Sequence, residues 1–138
     1  MTIGHRFGAL AAATAGLLAT TSLVTGTAAN AEGTACYTTA PVQLAAAGAW
    51  SYAFRVQWCA HGPAILAISL SADHQVLDPA CTWLGTVEQS VTKTPDGVSR
   101  VAYNRSAVSC PAGVAQPWAT VTVSPENVYT VDATGIDH

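Results

Sequence analysis

Four cysteines, Cys36, Cys59, Cys81 and Cys110, are the residues whose spacing constrains their chemistry most. Consecutive members stand more than twenty residues apart, so the close Cys-x-x-Cys pairs of a structural zinc site are missing. An even number at wide spacing fits two disulfides, the usual state of cysteine in an oxidising compartment. Turn positions then select among the three connectivities that four cysteines allow. Thr94-Pro95-Asp96-Gly97 is a turn signal: Pro presets φ, Asp bonds its own backbone and Gly tolerates positive φ. A hairpin centred on Pro95-Asp96 sets Cys81 opposite Cys110, and a turn at Ala47-Gly48 sets Cys36 opposite Cys59. Opposed residues of antiparallel strands come close enough to bridge. Cys36–Cys59 and Cys81–Cys110 is the expected pairing.

Assembled catalytic chemistry is not evident. The chain has no Gly-x-Ser-x-Gly, no His-Glu-x-x-His, no phosphate-cradling glycine loop and no dinucleotide fingerprint. No catalytic residue, metal site or cofactor is therefore expected. Asp73-His74 with Asp78 has the composition of an acid–base or metal cluster, but short polar loops create such neighbours by chance. Glu88, His74 and Arg105 would make a nuclease-like trio only if the fold united them. Bridged cysteines are not nucleophiles. Asn104-Arg105-Ser106 matches a glycosylation sequon, which matters only in a eukaryotic secretory pathway.

Aromatic residues carry the strongest hints of binding. Trp50, Tyr52, Phe54, Val56 and Trp58 alternate with Ser51, Ala53, Arg55 and Gln57, the period of a half-buried strand. That aromatic face reads as core rather than platform. Trp83 and Trp118 lie near strand starts or loops, where an indole can stack on a sugar ring or anchor a protein partner. The candidate binding residues are thus Trp118, Trp83, His61 and Arg55, with Arg55 reading more simply as a solvated charge. The favoured contact surface is one loop end, around His61-Gly62-Pro63 and Pro117-Trp118.

The elements that must position these residues are strands. After Trp50–Trp58, Ile65–Leu70 reads as a more fully buried strand and Ser71–His74 as a loop. Thr82–Thr92 and Val98–Val108 flank the Pro95-Asp96-Gly97 turn. Pro111, Gly113 and Pro117 punctuate a loop before the strand Ala119–Val123, and Ser124–Asn127 turns into Val128–Val131. With Cys36–Leu44 this makes about seven or eight short strands, the pattern of a β-sandwich or small barrel. Ala45-Ala46-Ala47 is too short to hold as a helix. The expected fold is a small antiparallel β-sandwich, immunoglobulin-like or similar, with two disulfides.

Composition places the domain. Half of the 138 residues are apolar and 9% are charged, against about 25% in ordinary soluble domains. Such a chain is too apolar for charge-driven disorder. Five Lys and Arg against eight Asp and Glu, without a basic cluster, argue against nucleic acid. Residues 1–31 read as a secretory signal peptide: His5 and Arg6, a weakly apolar run from Phe7 to Val24, then Ala29-Asn30-Ala31 in the small-x-small pattern. Gly8, Gly16 and several hydroxyl residues make the run poorly hydrophobic for a bilayer-spanning helix, and no membrane contact is expected after cleavage. Residues 32–138 then form one exported domain whose wet faces carry hydroxyls instead of charges.

The Ala/Thr-rich leader and Val/Thr-rich, disulfide-bearing domain resemble small secreted proteins of high-GC soil bacteria. That group includes β-sandwich inhibitors of extracellular hydrolases and chromophore carriers. The resemblance is one of general style and carries no site residue. The expected function is an extracellular binding module for a glycan, cell surface or protein partner. An inhibitor of a secreted protease or glycosidase is the first alternative, and a small secreted hydrolase the second.

Overall fold

The computed structural model describes residues 29–31 and 33–138. The expected signal peptide therefore lies outside the described residues except for Ala29–Ala31. Those three form a short strand, β1. Eight further strands follow: β2 (Thr34–Thr38), β3 (Val42–Ala46), β4 (Trp50–His61), β5 (Ala64–Val76), β6 (Thr82–Lys93), β7 (Arg100–Cys110), β8 (Gly113–Val123) and β9 (Tyr129–Asp137). Among the described residues there is no helix.

All pairs are antiparallel and form two sheets. In the first, β5 pairs with β4 along its whole length, while β2 and β3 divide the opposite edge of β4. Between them Thr39–Pro41 faces only Arg55 and Val56. Thr39 bridges this bulge: its amide donates to the Val56 carbonyl at 2.9 Å, and its hydroxyl accepts from the Val56 amide at 3.1 Å. Burying Thr39 thus leaves no ladder group unpaired. The second sheet is a plain meander, β6-β7-β8-β9.

Large side chains meet small ones between the sheets. Trp50, Tyr52, Phe54, Val56 and Trp58 of β4 point inward, each at most 3% exposed. Facing them are Ala102, Asn104, Ser106 and Val108 of β7, and Ala115, Pro117, Ala119, Val121 and Val123 of β8. Each buried aromatic contributes on the order of 2–3 kcal/mol of transfer free energy. Small partners let the bulky rings interdigitate without overpacking. Two hydrogen bonds fasten the margin: Trp58 Nε1 donates to the Ser124 carbonyl at 2.8 Å, and the Ala40 amide to the Tyr129 hydroxyl at 2.9 Å.

The bridges join Cys36 to Cys59 and Cys81 to Cys110. Each links neighbouring strands within one sheet. An immunoglobulin domain instead ties its two sheets together and uses Greek-key connections. By strand alternation Cys36–Cys59 lies on the outer face of the first sheet, whereas Cys81–Cys110 borders the core. The register reaches Cys81–Cys110 by an unexpected route. At the turn the last pair is Lys93↔Arg100, which centres the hairpin on Asp96-Gly97 rather than Pro95-Asp96. Bulges between Trp83 and Gly85 and between Thr86 and Glu88 each shift β6 by one residue. Together they restore Thr82↔Ser109, next to the bridge.

Three local expectations are corrected. Ile65–Leu70 is part of an edge strand, and Leu66 is 61% exposed where the β4–β5 register shifts. Ser71–His74 is no loop: these residues continue β5 opposite Arg55–Tyr52, with outward Ser71 and Asp73 alternating with inward Ala72 and His74. Pro117 and Trp118 also lie within a strand. Pro117 has no N–H to give, and the β7–β8 ladder is interrupted between Arg105↔Trp118 and Val108↔Ala115. Its pyrrolidine ring is buried in the core instead.

Candidate binding surface

The candidate residues separate into four places. Arg55 lies on the outer face of the first sheet, 3.5 Å from Asp73 in an exposed ion pair. Such pairs contribute little stability, which agrees with a solvated charge. His61 ends β4, and its imidazole packs over Gly33, filling the space a side chain there would need. Trp83 faces inward at the β5–β6 side, stacked on exposed His74 with ring centroids 4.4 Å apart. Trp118 stands on the outer face of the second sheet. The loop-end surface expected around His61 and Pro117-Trp118 does not form, because Trp118 projects from the middle of β8.

Nor does the nuclease-like trio assemble. Glu88 pairs with Arg105 across β6 and β7 on the outer face, while His74 belongs to the other sheet and faces inward. Asn104 of the sequon is fully buried. Its Oδ1 accepts from the Tyr52 hydroxyl at 3.0 Å and from Ser106 at 3.1 Å, and its Nδ2 donates to Gln89 Oε1 at 2.9 Å. Every side-chain polar atom of Asn104 is engaged, so it cannot accept a glycan. Burial pushes the pKa of the Tyr52 hydroxyl upward, which keeps it a donor in this network.

The densest polar–aromatic cluster surrounds Trp118. Strand register sets Glu88, Arg105, Trp118 and Gly135 in one row across β6, β7, β8 and β9. Tyr103 and Thr120 form the next row on one side, and Gln116 and Asp137 on the other. The Arg105 guanidinium is held from three directions. Its Nε donates to the Tyr103 hydroxyl at 2.8 Å, its Nη1 to Gln116 Oε1 at 3.3 Å, and its Nη2 meets Asp137 Oδ2 at 3.1 Å. The bond to Tyr103, then the charges of Asp137 and Glu88, raise the pKa of Arg105 further. The second Asp137 oxygen accepts from Trp118 Nε1 at 3.3 Å.

Gly135 explains how Trp118 lies. A Cβ built at residue 135 would come 2.7 Å from Cζ2, 2.8 Å from Cε2 and 2.8 Å from Nε1 of the indole. Nε1, Cε2 and Cζ2 are consecutive along one side of the indole, so that side of the ring packs against the glycine. Trp118 is half-buried on this outer face. Aromatic cover of a strand glycine is also a packing device; here it orients the ring as well.

Two cavities lie elsewhere. One of about 370 Å³ follows Cys36–Cys59 and Ala67 on the first sheet, and one of about 340 Å³ opens between Trp50 and Ala115 at a sandwich end. None of the four candidate residues lines either. Among the described residues no group of three or more His, Cys, Asp or Glu could hold a metal ion.

The surface around Trp118 is only half visible in the sequence. Nothing local marks Arg105, Tyr103, Gln116, Gly135 and Asp137 as its companions. The available signal is alternation in Arg100–Cys110, which puts Tyr103 and Arg105 on one face. Comparison with family models, curated proteins and solved structures finds no match for this chain.

Proposed function

We propose that this chain is an exported carbohydrate-binding module that acts through the outer face of its second sheet. One observation carries the reading: the half-buried Trp118 indole packs against Gly135 on the outer face, beside a guanidinium held from three directions. A pyranose offers a face of weakly positive C–H groups to the negative face of an indole. Its hydroxyls would meet the planar polar groups at the rim. Trp, Tyr and Arg are the residue types that dominate binding energy in recognition surfaces. Because these side chains are already held in place, less entropy is lost on binding. Two disulfides suit an extracellular setting.

Retention on a panel of insoluble neutral and acidic polysaccharides tests the reading. Wild type should be retained on at least one polymer, and Trp118→Ala should elute unretained while still unfolding cooperatively. Arg55→Ala should behave as wild type. Absence of retention on every polymer, or undiminished retention of Trp118→Ala, contradicts it.

A further inference from the structure

We infer that the glycan taken by this surface is uncharged: a neutral pyranose stacked on Trp118, not a uronic-acid or sulfated polymer. The inference rests on the carbohydrate reading and narrows it by charge and hydrogen-bond inventory. Arg105 is the cation of the row, and it is already committed. Its Nη2 faces the Asp137 carboxylate at 3.1 Å, its Nε the Tyr103 hydroxyl and its Nη1 the Gln116 amide oxygen. An anionic sugar would need the bidentate fork of an unoccupied guanidinium. To grip an anion through Nε and Nη2 together, Arg105 would have to break its contacts with Tyr103 and Asp137 and leave that carboxylate unpaired.

The surrounding charges point the same way. Glu88 and Asp137 flank Arg105 from opposite sides, so the surface around the indole carries two carboxylates and one guanidinium. A carboxylate or sulfate on the ligand would meet net repulsion. Both Asp137 oxygens are occupied, one by Trp118 Nε1 and the other by Arg105. What the rim still offers are N–H groups of Arg105 and Gln116 not used in these bonds, and the Thr120 hydroxyl in the adjoining row. Those groups suit the hydroxyls of a neutral sugar.

Affinity electrophoresis in native gels tests this. The gels contain a neutral polymer (galactomannan, xyloglucan or hydroxyethylcellulose) or an acidic one (alginate, polygalacturonate or heparin). Wild type should be retarded by at least one neutral polymer, and at least about tenfold more weakly by every acidic one. Neutral retardation should vary little between low and high salt, because no charge pair forms with the ligand. Glu88→Gln should raise whatever acidic retardation remains, because it removes one of the two carboxylates that repel an anionic ligand. Salt-sensitive retardation by an acidic polymer that is abolished in Trp118→Ala would overturn the neutral-sugar inference while leaving the carbohydrate reading intact. Retardation unaffected by Trp118→Ala, or none in any gel, would overturn both.

Discussion

The indole of Trp118 on β8 fills the space that a side chain at Gly135 on β9 would need, and each residue accounts for the other. A glycine inside a strand weakens it unless something covers the gap. An indole in this position needs a neighbour without a side chain, since a Cβ there would come within 2.8 Å of three ring atoms. Gly135→Ala should therefore lift the ring and cost roughly 1–3 kcal/mol of overpacking, although alanine is otherwise the better strand residue. Thermal denaturation and polysaccharide retention on one sample check this. Retention should fall with the lifted ring, and a Gly135→Ala variant at least as stable as wild type would show that the glycine is not needed for space.

Inside the sandwich the Tyr52–Asn104–Ser106 network should behave as a cooperative unit. Tyr52→Phe removes one donor and should cost about 1–2 kcal/mol. Asn104→Ala orphans the Tyr52 and Ser106 hydroxyls together and should cost more, about 2–4 kcal/mol. Urea denaturation of the single variants and their double mutant measures the coupling. Strictly additive costs would mean that the hydroxyl and the amide act independently.

How much of this was legible in the sequence differs from strand to strand. β4 shows its two faces because every inward position from Trp50 to Trp58 is large and apolar and every outward one small or polar. β7 hides its faces. Facing the aromatic row of β4, its inward residues had to be small, so Ala102, Asn104 and Ser106 look like a surface while Tyr103 looks like core. Pro117 reads as a loop residue because proline seldom enters an interior strand, and only the ladder interruption beside Ser106 and Ala107 accommodates it. The hairpin arithmetic reached Cys81–Cys110 because a turn displaced by one residue was offset by two bulges. The row from Glu88 to Gly135 depends on that same register, and no local pattern announces it.

The Thr94–Ser99 turn should confer stability that depends on acid. The Thr94 hydroxyl first, then the Val98 amide, hold the pKa of Asp96 below the usual carboxylate range. A carboxyl whose folded pKa is depressed contributes stability above its unfolded pKa, about 3.9. That contribution disappears as pH falls through the lower folded value. Asp96→Ala should thus be less stable than wild type at pH 7, and the two melting temperatures should converge as the pH approaches about 2. A gap that stays constant from pH 7 to pH 2 would assign the effect to turn geometry alone.

The two bridges should not be equivalent. Chain-entropy arguments give about 3–4 kcal/mol for each, since their loops are of similar length. Cys81 is only 7% exposed and packs with the core, whereas Cys36–Cys59 lies on an outer face. Replacing Cys81 and Cys110 by Ala should therefore cost more than replacing Cys36 and Cys59. Equal losses in midpoint denaturant would show that packing adds nothing to the loop term.

Titration followed through the indole N–H resonances reads the Trp118 surface itself. Labelled wild-type protein is titrated with neutral oligosaccharides of the cello, chito, xylo and manno series. The Trp118 signal should shift saturably with at least one series, while those of Trp50 and Trp58, buried between the sheets, stay in place. A saturable shift confined to the buried indoles, or a Trp118 signal that no oligosaccharide moves, would contradict a binding surface on the second sheet.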